Sequence, residues 1–488
     1  RLNYTRSMAA SLSSSAPKLS DRRAQGVYNQ LAKHGQEHLL RFYEELSFDE
    51  RKRLLEQLES QDWGMLETLV ETYVRKEPET TLSQQIMPAP YFPAEAGKYA
   101  EKYEEAKNLG QKLIAEGKVA AFTVAGGQGT RLGFEGPKGM FTATHSGKSL
   151  FQTFAEQLHK AQAKYKATIP WYIMTSPMND AQTRGFFREN TYFGLDSRNV
   201  MFFPQGTLPS IGLDGKLLLA DKGELALNAD GHGGSLRALR RSGALGDMKK
   251  RGVEYLSYIQ VDNPNVKTID PLFIGLHTLE QAEMSAKMLP KSHAKEKVGN
   301  FCLQDGKMSV IEYSDIPAEL SELRNDDGNL AFIAGNVAIH IISVSFIDRL
   351  TSGSDAQLPY HRAIKAVPFV DDSGQVVKPA KPNAVKLERF IFDALPLAKH
   401  AIILETNRTE EFAPIKNAEG DDSPATSKQL QTERAAKWLE KHGVKIPRNA
   451  DGSVNAVIEI SPLTATHLDD LKEADLPEEI KAGETVVL

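Results

Sequence analysis

The residues with the clearest capacity for chemistry form one short run, Ala125-Gly126-Gly127-Gln128-Gly129-Thr130-Arg131-Leu132-Gly133, soon followed by Pro137-Lys138-Gly139. Glycines at this spacing let main-chain N–H groups approach a phosphate chain, and Arg131 and Lys138 can balance its charge. The same glycines would also serve a plain strand-to-helix turn. Two familiar phosphate loops fail on spacing. The dinucleotide fingerprint needs a third glycine where Leu132 stands, and a Walker A loop needs a glycine where Thr142 precedes Gly147-Lys148-Ser149. Lys148 is therefore assigned to the surface.

A phosphate loop works only if an element holds it. The loop leaves a largely apolar run at 119–125, bounded by glycines, which reads as a buried parallel strand. Helix, strand, helix and strand follow at 150–166, 171–175, 181–189 and 200–203, with further strands at 255–261 and 337–343. Such alternation predicts a doubly wound α/β sheet with ligands at the carboxyl ends of its strands. Before it, residues 19–75 are charged with leucines at helical spacing, and Ser47 with Glu50 has the spacing of a capping box. Pro78, Pro88, Pro90 and Pro93 mark a linker or wrapping segment. The tail has shorter apolar runs and a final Thr485-Val486-Val487-Leu488, which reads as a separate small domain, mixed or β-rich. The expected organisation is thus an N-terminal helical domain with linker (1–98), a central domain (99–404) and a C-terminal domain (405–488).

Bulk properties agree with this plan. A chain of 488 residues exceeds one ordinary core, and 41% hydrophobic with 25% charged residues describes a globular protein. A net charge of -5 does not draw the whole molecule to nucleic acid, although one cleft can still be basic. The single cysteine, Cys302, reads as a core thiol and fits a reducing cytoplasm. With no run of about 18 consecutive apolar residues, a membrane span is not expected. Arg1 to Ser7 read as an expression scar or extension, and Ser11 to Ala16 as a disordered tail.

The glycine loop through Met140 resembles the nucleotide-binding signature of the eukaryotic-type UDP-N-acetylglucosamine pyrophosphorylases, close cousins of the UDP-glucose and broad UDP-sugar pyrophosphorylases. The resemblance continues through Phe203-Pro204-Gln205-Gly206, Asp230-Gly231-His232-Gly233-Gly234, Gln260-Val261-Asp262-Asn263, Ile311-Glu312-Tyr313-Ser314, Gly335-Asn336-Val337-Ala338, Lys386 to Asp393, and Glu411 to Asn417. It implies a Rossmann-like nucleotide-diphosphosugar transferase domain flanked by an N-terminal helical and a small C-terminal β-rich domain. It also implies a uridylyltransferase that makes UDP-N-acetylglucosamine and pyrophosphate from UTP and N-acetylglucosamine 1-phosphate, with magnesium or manganese as cofactor. Neither nucleic acid nor membrane is implied as a partner.

Residue by residue, the resemblance puts Val124, Ala125, Gly126 and Gly127 along the uridine, with Gln205 and Gly231 on the uracil. Asp262 takes the magnesium-associated position, against the plainer reading of a turn cap. Gly299, Glu312 and Asn336 would hold the sugar. Arg131, Lys138 and Lys416 would balance phosphate charge while the sugar phosphate oxygen, already ionised, attacks the α-phosphorus in line with departing pyrophosphate. The chain departs from the pattern at His232, where the N-acetylglucosamine enzymes carry asparagine and the glucose-type cousins carry Gly-His-Gly. His232 is read as a neutral donor to phosphate or sugar, since the reaction needs no base. The alternatives are the same chemistry on glucose or galactose 1-phosphate, and a non-catalytic UDP-sugar sensor.

Overall fold

The computed structural model describes residues 19, 21–76, 82–353 and 358–488. The expectations for Arg1 to Ser7, Ser11 to Ala16 and Pro78 lie outside the described residues.

Contacts gather the chain into two compact units that do not follow the three successive segments read from sequence. One holds Arg1–Glu79 together with Thr207–Asn228 and Arg362–Leu387; the other holds Thr80–Gly206, Ala229–His361 and Glu388–Leu488. In the smaller unit, helices α1 (Arg22–Lys33), α2 (Phe48–Glu59) and α3 (Trp63–Leu69) bury Leu31, Leu54, Leu58 and Leu66. The capping box at the start of α2 is present, with the Ser47 and Glu50 side chains each bonded to the other's main-chain N–H. Two stretches from later in the chain complete this unit, and Ile211 and Gly212 pair antiparallel with Val385 and Ala384.

The larger unit is built on a ten-stranded mixed sheet. Its strands are β1 (Ile86–Pro88), β2 (Val119–Val124), β3 (Trp171–Thr175), β4 (Val200–Pro204), β5 (Tyr255–Gln260), β6 (Met284–Pro290), β7 (Asn300–Gln304), β8 (Lys307–Ile311), β9 (Ala334–Ser343) and β10 (Ala401–Glu405). The ladder β4-β3-β2-β5 is parallel, as the alternation with α4 (Ala100–Ala115), α5 (Leu150–Tyr165) and α6 (Asp180–Glu189) requires. Beyond β5 the direction changes, because β9 runs antiparallel to both β5 and β6. The proline-rich segment does wrap: Pro88 ends an edge strand on β7, where a missing N–H costs no central ladder bond, and Phe92 exchanges main-chain hydrogen bonds with Ile403 and Glu405.

Helix α7 (Pro271–Leu279) packs on α4 with the two backbones in contact. A Cβ on Gly110 would lie 1.9 Å from the Pro271 carbonyl oxygen, and one on Gly275 would lie 1.7 Å from that of Ala106. Cys302 is a fully buried thiol whose pKa burial pushes up to about 12. Among the described residues no helix is long and apolar enough to cross a membrane.

The tail, expected as a separate domain that is mixed or β-rich, is mixed and belongs to the same compact unit as the sheet. Helix α8 (Pro424–Lys441) dominates it, capped by Ser423 and burying Ala435, Ala436, Trp438 and Leu439, against a single two-stranded ladder of Val457–Glu459 with Thr485–Val487. Much of the buried face of α8 is Ser427, Gln431 and Thr432, whose polarity hides the helical period. Lys148 is not a surface residue: its side chain is 16% exposed, and its ammonium bonds Glu156 at 2.7 Å and Ser461 at 2.9 Å. The start of α5 folds it back onto that helix, which satisfies the charge locally.

Candidate functional site

Two cavities open beside the carboxyl ends of the parallel strands. The first, of about 310 Å³, is lined by Val124, Gly126, Gly127, Lys138, Gln205, Gly231 and His232. The second, of about 160 Å³, is lined by Lys297, Gly299, Glu312, Asn336, Phe412 and Lys416. Gln260 and Asp262 line both. Gln260 ends β5 and Asp262 lies just beyond it; β5 pairs with β2 on the side opposite β3, so the cavities sit where the strand order reverses.

The first cavity is shaped by close main-chain approach. Val124 and Gln260 are register partners, and the Val261 N–H donates to the Val124 carbonyl at 3.1 Å. After β2 the loop turns, and the Lys138 N–H donates to the Gly127 carbonyl at 3.1 Å, which brings Lys138 back beside the loop's beginning. Asn179, fully buried, donates to the Ala125 and Gly127 carbonyls at 3.0 and 3.3 Å. The Gln205 carboxamide rests on Gly126, where a Cβ would stand 2.8 Å from its Oε1. A Cβ on Gly127 would meet nothing within 4 Å, so this glycine opens into the cavity. Gly231 adopts φ 84°, and a Cβ there would meet the Arg389 carbonyl oxygen at 2.3 Å, so only glycine fits.

His232 is held from behind. The Ile391 N–H donates to its Nδ1 at 3.1 Å, and its ring stacks on Phe390 with centroids 5.2 Å apart. Burial pushes its pKa down to about 4, so the ring is neutral near pH 7 with its proton on Nε2. Nε2–H is the one donor left to it, which narrows the expected role without removing it.

Charge converges where the cavities meet. Lys138 Nζ lies 3.9 Å from Asp262 Oδ2, with both side chains 16% exposed. Burial lowers the Lys138 pKa, and Asp262 opposes that effect. Lys416 Nζ lies 3.2 Å from Asp422 and 5.2 Å from the Phe412 ring centroid. Arg131 is exposed and lines neither cavity, although its charge is felt at Lys138. The Ala125 methyl is also outside both linings, buried in the core.

The second cavity joins the three residues expected around the sugar. A Cβ on Gly299 would lie 3.3 Å from Glu312 Oε1 and 3.7 Å from the Asn336 Cβ. The Asn336 N–H donates to the Gly299 carbonyl at 2.8 Å, and its Oδ1 accepts from Ala338 N–H at 2.9 Å, which leaves its Nδ2 as donor. Ala338 takes the left-handed conformation, φ 55°, a strained choice for a residue with a Cβ. Burial raises the pKa of Glu312. The sequence reading missed Gln260, Asn263, Lys297 and Phe412, all of which line this cavity. Gln260 and Asn263 flank Asp262 in a block already singled out. Lys297 sits in a charged run with nothing to distinguish it from solvated neighbours.

This arrangement suits a long anionic ligand lying across both cavities, with Lys138 beside Asp262 in the lining of the first and Lys416 in the lining of the second. The model of the family described as UTP–glucose-1-phosphate uridylyltransferase matches residues 66–460. A Xenopus tropicalis protein called UDP-N-acetylhexosamine pyrophosphorylase-like protein 1 is 38% identical over 459 residues, covering 88% of this chain and 90% of its own. The UDP-N-acetylglucosamine pyrophosphorylase of Saccharomyces cerevisiae is 40% identical over 355 residues, 70% of this chain and 74% of its own. The crystal structure of the uridine diphosphate N-acetylglucosamine pyrophosphorylase from Trypanosoma brucei superposes with a TM-score of 0.80 at 26% identity, covering 96% of this chain and 99% of that one.

Proposed function

The chain belongs to the UTP–glucose-1-phosphate uridylyltransferase family, a family of nucleotidyltransferases, and from that premise we propose that it converts UTP and N-acetylglucosamine 1-phosphate to UDP-N-acetylglucosamine and pyrophosphate. The observation that carries this reading is the pair of cavities sharing Asp262 and Gln260. One takes the uridine, with Gln205 and the main chain at Gly127 and Gly231 on the base. The other takes the sugar, with Gly299, Glu312 and Asn336 on its hydroxyl and N-acetyl groups. Two reactants held end to end need no further activation, because the sugar phosphate oxygen is already ionised. It attacks the α-phosphorus in line, the bond to pyrophosphate breaks, and Lys138 and Lys416 offset the charge that moves.

A divalent cation fits Asp262. Among the described residues no three His, Cys, Asp or Glu side chains gather as a ready-made metal cage. A lone carboxylate beside a phosphate site is the usual holding for magnesium, which takes its other ligands from water and substrate oxygens. Bound there, the ion would supply charge neutralisation at the phosphates. A cytoplasmic setting fits the lone, buried thiol.

The test is pyrophosphate release from UTP over a panel of sugar 1-phosphates, with ATP and CTP as competing nucleotides. N-acetylglucosamine 1-phosphate with UTP should give the highest kcat/KM. A second reading, glucose 1-phosphate, is favoured by His232 alone; a preference of about tenfold or more for glucose, roughly 1.4 kcal/mol, would establish it instead.

A further inference from the structure

Asn263 is 4% exposed, next to Asp262; its Oδ1 accepts from the nearby Asn265 N–H at 3.2 Å, and both ends of its carboxamide also reach one distant segment of chain. Its Nδ2 donates to the Glu411 carbonyl at 2.6 Å, and its Oδ1 accepts from the Ala413 N–H at 3.0 Å. The neighbouring Asp262 carbonyl accepts from the Ile415 N–H at 2.8 Å. Lys416 is the next residue. We propose that Asn263 is a positioning residue for the transfer reaction: it clamps residues 411–415 to the end of β5 and so sets Lys416 against Asp262 and Lys138. The proposal rests on the reading of Lys416 as a cation for the phosphates.

Other bonds show how firmly this segment is anchored. The Glu411 carboxylate lies 2.6 Å from Lys287 Nζ and from the Thr406 hydroxyl. Lys287, itself 1% exposed, also pairs with Asp270 at 2.5 Å, the cap of α7. Ser427 of α8 donates to the Ala413 carbonyl at 2.6 Å. Without such ties Lys416 would have to be ordered at the moment of reaction, at a cost in the barrier. The side chain must be asparagine, because the clamp needs a donor for one peptide group and an acceptor for another two residues on. Aspartate would set a carboxylate oxygen against the Glu411 carbonyl, and alanine would leave buried Glu411 C=O and Ala413 N–H groups unpaired.

A core amide with a purely structural role would lower activity in any background, whereas a residue acting through Lys416 loses its influence once that lysine is gone. The experiment is a double-mutant cycle of Asn263→Ala and Lys416→Ala, followed by kcat and by KM for UTP in the pyrophosphate-release assay. Expected are a loss in kcat of about tenfold or more for Asn263→Ala with KM within about twofold, about 10²-fold for Lys416→Ala, and no more than about twofold further loss in the double variant. Equal factors for Asn263→Ala in both backgrounds, or an unchanged kcat, would overturn the positioning role while leaving Lys416 in place. An unchanged kcat in Lys416→Ala would remove the underlying reading and this proposal with it. Should Asn263→Ala melt below the assay temperature, Ser427→Ala serves: a severalfold loss confined to the Lys416 background is expected, and an equal loss without the lysine overturns the proposal.

Discussion

Lys138 reaches the junction of the two cavities through a hydrogen bond of its own main chain to Gly127, so its ammonium faces Asp262 from the nucleotide side. A cation there acts most when charge moves toward pyrophosphate. Lys138→Ala should therefore lower kcat about 10²-fold with little change in UDP-sugar affinity, as read by steady-state kinetics and calorimetric titration of product. Weaker product binding at unchanged kcat would assign the lysine to ground-state binding. Asp262 supports a second prediction. Turnover should stop in excess chelator and return with magnesium or manganese, and Asp262→Asn should raise the metal concentration needed for half-maximal rate. Full turnover in chelator would refute a metal role. At this scale the sequence was informative wherever a residue type sits in an ordered block. It could not say that Arg131 lines neither cavity, or that the Nδ1 of His232 is already occupied by a main-chain N–H.

Elements decide how closely the site can be framed. Helices α4 and α7 touch through Gly110 and Gly275, with no room for a methyl group on either. Gly275→Ala should destabilise the larger unit by about 1–3 kcal/mol or more, visible as a lower melting temperature, because the clash is with backbone and not with a movable side chain. An unchanged melt would mean that the helices separate without penalty. Most of the parallel-ladder strands were legible from their apolar runs, and β2, β3, β4 and β5 fall within a residue or two of expectation. Strand β9 was also found, but not its antiparallel direction, since side-chain alternation is the same either way. The hairpin of β7 and β8 escaped because its runs are short and carry polar residues, and β10 because its apolar run, Ala401 to Leu404, is too short for periodicity to separate it from a buried helix segment.

On the scale of the molecule, four histidines of the larger unit are neutral because they are buried. Burial lowers His232 and His467 to about 4, and His277 and His340 to about 3. Unfolded, each protonates near pH 6.5. Between those values the unfolded chain binds more protons, so stability is fully present above about pH 6.5 and falls as the pH falls toward 4 and 3. Each histidine contributes a slope of about 1.4 kcal/mol per pH unit in that window. Urea unfolding at pH 7, 6 and 5 should show this loss, and His340→Leu should reduce the slope by one histidine's share. An equal slope in the variant would show that His340 takes up its proton as readily in the fold as in the unfolded chain.

The sequence by itself determined the chemistry-bearing types and the strands that carry them, because a glycine loop leaving an apolar run and an aspartate closing another are local facts. It also determined family membership, since blocks in fixed order leave few other readings. Tertiary structure decided what depends on distance through space. It joined Gly299, Glu312 and Asn336 into one cavity, brought Lys416 beside Asp262 and Asn263 from far along the chain, and drew two later stretches into the N-terminal unit. Spacing along a chain fixes what neighbours can do. Which distant residues become neighbours is fixed by packing, and packing here placed polar side chains such as Gln431 and Asn263 where their periodicity gave no sign of burial.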